Sequence, residues 1–260
     1  MRAIVTICGG SYSILLNRWL ERLRRFTDLP IFVLLLGQTE IDCAVECQLL
    51  RVDPSGNPFP ERSSDHACAE KQRIFKHLPH EITEVLFIDI DVLVLSDFWS
   101  SEDYFSKSQD ALVAAPDLFV GYKEKMEYEF QPFDPAFRMK FFSDGRHYYF
   151  NTGVFFASRQ RHEMMFRLCL ETWARYVSKV GRYPSIFDQN VFNYCLIAFN
   201  VPVKPMPVQN NCLRQYSKVI QNRKVFYDNS EVLVMHFNGG DAQTKLARWL
   251  EFERTLELLP

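Results

Sequence analysis

Residues 84–91 read Glu-Val-Leu-Phe-Ile-Asp-Ile-Asp and run on into Val92, Leu93, Val94 and Leu95. A short apolar stretch this rich in β-branched and aromatic residues predicts a strand covered on both faces, as in a sheet flanked by helices. In open α/β sheets, ligands gather beyond the carboxyl ends of the strands, which puts Asp89 and Asp91 at the mouth of a crevice. Residues two apart on a strand point to one side, so the two carboxylates are expected to converge. Like charges that close are costly unless a cation lies between them. A hard divalent ion suits the position, completed by phosphate oxygens and water. The plainer reading makes both aspartates turn residues, a common place for Asp. Against it, Ile90 between them and the apolar run beyond say that the chain does not simply leave for solvent.

The chain has 260 residues, enough for one large α/β domain or two small ones, with a substantial core. Its net charge of −2 gives no overall basic excess for a phosphate backbone, so nucleic acid is not expected as a partner. With 23 Phe and 11 Tyr there are rings to fill the core and to line a crevice for bases or sugars. Seven Cys, an odd number spread from Cys8 to Cys212, do not make a disulfide framework and fit the reduced thiols of a cytoplasm. Cys43 and Cys47 lack a second pair at zinc spacing and read as buried thiols. The first apolar run stops at Gly9-Gly10, short of a signal peptide, and no later stretch has the length to cross a bilayer.

In order, residues 3–8 predict a first strand, Gly9-Gly10-Ser11 a turn, and residues 12–26 a helix, the start of a βαβ unit. The glycines admit a ligand to the backbone, and Tyr12 offers a flat face beside it. The helix carries Leu15, Leu16, Trp19, Leu20, Leu23 and Phe26 at helical spacing, with Arg18, Arg22 and Arg25 elsewhere. Packing on the sheet with a solvated basic flank is expected; a membrane-surface helix is the alternative. Strands follow at 31–36 and 47–52, then a proline-rich loop at 54–60. A helix capped by Ser63 or Ser64 should run to Leu78, carrying Lys71 and Arg73 toward the acidic strand end. Residues 111–115 predict another strand. Residues 123–147 show no clean period and suggest a lid, an acceptor-facing loop or a satellite aromatic cluster.

Residues 148–157 read as a buried strand interrupted by Asn151 and Thr152, polar groups that need backbone partners or a polar ligand. Gly153 would permit close approach. A long helix over 161–180 precedes a second beginning near Asp188, a candidate cap at a helix end that is itself a polar site. Residues 231–240 predict the last buried strand, ending at His236, whose imidazole would make a third metal ligand. An amphipathic helix over 242–259 closes the sequence.

Asp89-Ile90-Asp91 resembles the DxD motif of GT-A glycosyltransferases, and within them of the retaining galactosyl- and glucosyltransferases related to glycogenin, glycosyltransferase family 8. Asn151-Thr152-Gly153 is similar to that family's Asn-Ala/Ser-Gly segment, Asp188-Gln189 to its Asp-Gln pair at a helix start, and His236 with Gly239 to its His-x-x-Gly segment. The matches come in the family's order, and with the first strand the resemblance covers residues 3 to about 240. The family continues to Lys-Pro-Trp; this chain has Ala242 at the lysine position, no Pro-Trp, and Lys245 three residues on.

The resemblance implies a GT-A fold: a Rossmann-like α/β architecture with a mixed, mainly parallel sheet flanked by helices, as one domain over 1–260. Its nucleotide-binding part would cover about 1–115, its acceptor side about 116–240, and a C-terminal helix 242–259. The implied activity is a retaining transfer of hexose from a UDP-sugar to a saccharide or glycolipid acceptor. The donor would meet Thr6, Cys8, Gly9, Tyr12, Lys71, Asp89, Ile90, Asp91, Asn151, Thr152, Gly153, Asp188, Gln189, Gly239 and Lys245, with Tyr12 facing uracil. Asp89, Asp91 and His236 would hold Mn2+ or Mg2+, and Asp188 or Gln189 would lie beneath the anomeric carbon. The missing Lys-Pro-Trp leaves a catalytically silent sugar-nucleotide-binding module as an alternative. A nucleotidyltransferase is a further one, disfavoured because no glycine- and basic-rich N-terminal loop is present. A hydrolase would need two acids flanking one bond, which Asp89 and Asp91 are poorly arranged to supply.

Overall fold

The structure, a computed structural model, describes residues 1–37, 41–53, 63–100, 102–118, 122–141 and 148–258. The predicted loop at 54–60, residues 142–147 of the expected insertion, Leu259, and the side chains of Ser63 and Ser64 lie outside what it describes.

Strand β1 (Arg2–Gly9) lies between β2 (Ile31–Leu36) and β4 (Glu84–Ile88), parallel to both, and β3 (Gln48–Val52) extends the sheet beyond β2. Helix α1 (Ser13–Arg24) makes the crossover from β1 to β2. Strand β7 (Phe150–Ser158) then runs antiparallel to both β4 and β6 (Leu112–Pro116), and β8 (Val203–Pro205) lies parallel to β6. The result is a mixed sheet of seven strands, mainly parallel, in the order β3-β2-β1-β4-β7-β6-β8.

Strand alternation divides the apolar residues between two cores. Val5, Phe87 and Phe155 face Trp173 of α6 (Arg159–Val180) and Phe192 of α7 (Phe187–Ala198). Ile4, Leu86 and Phe156 face Trp19 of α1 and Trp249 of α8 (Ala242–Leu258). The flank of α1 is less solvated than expected: Arg22 donates to the Val94 carbonyl at 2.9 Å, and Arg18 pairs with Glu253 of α8. None of the described helices is long and apolar enough to cross a membrane.

Several expectations are corrected. The apolar run at 84–95 is two strands: β4 ends at Ile88, the chain turns, and β5 (Val92–Val94) leaves the main sheet. There β5 pairs antiparallel with β13 (Val234–His236), which also pairs with β9 (Cys212–Leu213), so the last apolar segment belongs to a small second sheet. The helix expected to Leu78 breaks into α2 (Ser63–Lys71) and α3 (Ile74–His77), with Glu70 accepting from Arg73 at 2.7 Å and contacting His77 at 2.6 Å across the break. In the expected insertion, α5 (Tyr122–Phe130) forms, and Phe130, Phe133 and Phe137 cluster with Tyr176 and Tyr194. All seven cysteines are free, but Cys43 and Cys47 are half-buried rather than buried.

His162, on α6, is buried, and burial pushes its imidazole down from 6.5 to about 4. The unfolded chain therefore binds the proton more tightly, and the neutral ring's contribution is present above pH 6.5 and lost as pH falls through about 4. Replacing His162 by Gln should remove on the order of 3 kcal/mol of that acid sensitivity, read as urea midpoints at pH 7 and pH 4.5.

Candidate active site

Beyond the carboxyl ends of β1 and β4 lies a cavity of about 340 Å3. Asp89 and Asp91 reach it from the turn between β4 and β5, closed by Val92 N–H donating to the Asp89 carbonyl at 3.1 Å. A turn, and not the two-residue period of a strand, makes them converge. Its backbone is fastened on both sides: Asp89 N–H donates to the Gly153 carbonyl at 2.8 Å, and Phe237 N–H to the Asp91 carbonyl at 3.0 Å. That second bond brings His236, at the end of β13, beside Asp91, with Nε2 3.4 Å from Oδ1. One ligand atom each from Asp89, Asp91 and His236 lie within 4.8 Å of one another. Two carboxylate oxygens and an imidazole nitrogen are a donor set suited to a divalent cation.

Two lysines flank the acids. Lys245 Nζ donates to Asp91 Oδ2 at 2.6 Å and lies 4.9 Å from the centre of the Tyr12 ring. Lys71 Nζ stands 3.1 Å from both Asp89 Oδ1 and Asp188 Oδ2 and donates to the Thr152 carbonyl at 3.3 Å. Burial would raise the Asp91 carboxyl, yet His236 and Lys245 hold it well below the usual carboxylate range. For Asp89, burial wins over Lys71 and leaves the carboxyl raised. Burial opposes the charge on Lys71, but Asp188 and Asp89 hold the ammonium well above its ordinary value, and Asp91 does the same for Lys245.

The opposite wall is a buried amide network. Asp188 sits inside the first turn of α7 and does not cap it; it accepts from Thr152 Oγ1 at 3.2 Å. Gln189 Nε2 donates to Asp117 Oδ2 at 2.9 Å and to the Tyr149 hydroxyl at 3.1 Å, while Thr152 N–H approaches Gln189 Oε1 at 3.4 Å. Asn151 Oδ1 accepts from Gly153 N–H at 2.8 Å.

Of the residues singled out in the sequence, Gly9, Tyr12, Lys71, Asp89, Ile90, Asp91, Asn151, Thr152, Gly153, Asp188, Gln189, His236 and Lys245 all line this cavity. Thr6 and Cys8 do not; strand alternation turns them inward and gives Ile7 and Gly9 to the cavity. Gly239 also lies outside its lining, at φ 74° between β13 and α8. Sequence reasoning missed Asp117, although it follows an apolar strand just as Asp89 does, and Asn211, which no local pattern distinguishes. A larger cleft of about 1060 Å3 lies against Lys76, Arg159 and Met164, but its acids Glu84 and Glu163 are tied to Arg2 and Arg159. Volume therefore does not mark the site; converging acids, imidazole and amides do.

The sequence signature of glycosyl transferase family 8 matches residues 61–245. The chain belongs to this family. Solved structures share the GT-A fold: a galactosyltransferase, LgtC, in complex with donor and acceptor sugar analogs is 19% identical, with TM-score 0.62, covering 99% of this chain and 97% of its own. Mouse xyloside xylosyltransferase 1, in its apo form, is 14% identical, with TM-score 0.60, over 92% and 98%. No curated protein matches the sequence. This family 8 member is accordingly a glycosyltransferase, and its cavity is the candidate active site.

Gly153 packs against the imidazole: a Cβ there would lie 2.4 Å from His236 Cε1 and 2.7 Å from Nδ1. Gly153→Ala should displace the ring and destabilise the protein by about 1–3 kcal/mol. A thermal melt and the His236 ring signals in an NMR spectrum check the two effects.

Proposed function

We propose that this glycosyltransferase moves a hexose from a UDP-sugar to a saccharide or glycolipid acceptor with retention at the anomeric carbon, using Mn2+ or Mg2+. The observation that carries the reading is the Asp89, Asp91 and His236 cluster, with ligand atoms within 4.8 Å, facing Asp188 and Gln189 across one cavity. LgtC, solved with donor and acceptor sugar analogs, lends support to both substrate classes.

Asp89, Asp91 and His236 would hold the cation, which when bound supplies positive charge to a leaving diphosphate. Lys245, beside Asp91 and Tyr12, is within the same lining and can add a second positive charge at the phosphates. That position favours an active enzyme over a silent binding module, because the chain retains a lysine there without the family's Lys-Pro-Trp. Tyr12 presents its ring to the base. Lys71 fixes Asp188, so that carboxylate is engaged by both an ammonium and the Thr152 hydroxyl. Gln189 has both amide hydrogens engaged by Asp117 and Tyr149, which leaves Oε1 as its electron-rich atom. We assign Gln189 to the face beneath the anomeric carbon, with Asp188 holding sugar hydroxyls. The nucleotide would be bound mainly by the part up to about residue 115 and the acceptor by the part from about 116 to 240, with free thiols suited to a reducing compartment.

A screen of UDP-sugars for UDP release, with and without Mn2+, tests this. Release should need the metal, and Asp91→Asn should lower it on the order of 100-fold, the scale of one lost electrostatic contact to a transition state. No release from any UDP-sugar, together with no heat of binding for UDP and Mn2+, would end the proposal.

A further inference from the structure

The amide of an asparagine has no visible polarity of its own; it must be read from a partner whose role cannot change. Gly153 supplies one, because a backbone N–H only donates. It lies 2.8 Å from one end of Asn151, which must therefore be the oxygen, Oδ1. The other end, Nδ2, then faces Asp117 Oδ2 at 3.4 Å, an acceptor, so both ends agree. Asn151 Oδ1 also lies 2.7 Å from Asn211, which must present its Nδ2 there. Asn211 consequently turns Oδ1 toward His236 Nδ1 at 3.1 Å, and an amide oxygen has only lone pairs to offer. The proton is on Nδ1. With Nδ1 holding its proton toward Asn211, Nε2, 3.4 Å from Asp91 Oδ1, is the nitrogen left to face a cation.

We propose that Asn211 is a positioning residue that sets the tautomer of His236, aiming the Nε2 lone pair at the cation and joining it through Asn151 to Asp117 and the sugar side of the cavity. Asn211 is 1% exposed and outside the cavity lining, so it acts through His236 and not on substrate. It ends the short 3-10 turn Val208–Asn211 and leads into β9, whose Cys212 and Leu213 pair with Met235 and His236 of β13. Amide and imidazole are thus carried on neighbouring strands that keep them in register. Ligating imidazoles commonly donate their other N–H to such a partner, and loss of the partner weakens metal binding about 10- to 100-fold.

The inference deepens the cation-dependent reading and rests on it for its consequence, but the tautomer can be read without any metal. In 15N-histidine-labelled protein, long-range 15N–1H spectra, with His236 assigned by its loss in His236→Gln, should show Nδ1 carrying a proton in the metal-free wild type, whether or not Nε2 carries a second one toward Asp91. Asn211→Leu should redistribute the tautomers and weaken Mn2+ binding about 10- to 100-fold. Asn211→Asp keeps an acceptor on Nδ1 and should keep the Nδ1 proton and avoid the loss of about 10- to 100-fold in Mn2+ affinity, while losing the donor to Asn151. A wild-type His236 whose Nδ1 carries no proton, or an Asn211→Leu protein that binds Mn2+ as well as the wild type, overturns the proposal. If Asn211→Leu does not fold, the wild-type spectrum and Asn211→Asp decide. A wild type that shows the Nδ1–H form but binds no Mn2+ removes the cation from the proposed function and upholds the assignment of the proton.

Discussion

Like charge held close in a buried turn is the constraint around which this molecule is arranged. Two carboxylates with oxygens within 4.8 Å of one another repel by at least roughly 3 kcal/mol at an effective dielectric near 20, and the chain answers with cations from distant elements. Lys71 reaches Asp89 from α2, 18 residues earlier, and Lys245 reaches Asp91 from α8, 154 residues later. Four carboxylates line the cavity, Asp89, Asp91, Asp117 and Asp188, against two lysines, Lys71 and Lys245. Counting carboxylates and ammonium groups alone, four negative less two positive charges leaves two. A divalent ion balances that remainder, so the donor set and the charge count favour the same occupant.

Much of the fold was legible because β2, β4 and β7 are buried along nearly their whole length and leave little freedom about their type. Helices α1, α6 and α8 were equally plain, since apolar residues at helical spacing must find a covered face. What could not be read was which strand lies beside which. Period shows that β7 is a strand; its antiparallel insertion between β4 and β6 depends on side chains far away in sequence. The short strands after residue 203 were unreadable for another reason: β8, β10 (Val219–Gln221) and β12 (Ser230–Glu231) have two or three residues each and largely exposed patterns.

The site divides in the same way. Asp89, Asp91, Asn151, Asp188 and His236 stood out because each is a polar residue breaking or ending an apolar run, which burial alone would not favour. Thr6 and Cys8 misled because proximity along a strand does not say which face a side chain takes, and their face belongs to the sheet and its core. Asn211 gave no signal. Its meaning comes from standing between two other polar groups, and such a role exists only once β9 and β13 have paired.

The departure of β5 from the main sheet explains why so distant a histidine can serve this turn. Had the apolar run at 84–95 continued as one strand, Asp89 and Asp91 would share a face, but Asp91 would lie inside the ladder, with its backbone committed to neighbouring strands. By turning after Ile88, the chain frees Asp91 to accept from Phe237 N–H and lets β5 take β13 as its partner, in register from Val92 opposite His236 to Val94 opposite Val234. The small sheet therefore acts as a clamp built from the second half of the acidic segment. Its pairing fixes the imidazole to the same turn that carries the carboxylates, and the absence of a Cβ at Gly153 leaves room for the ring between that turn and β7.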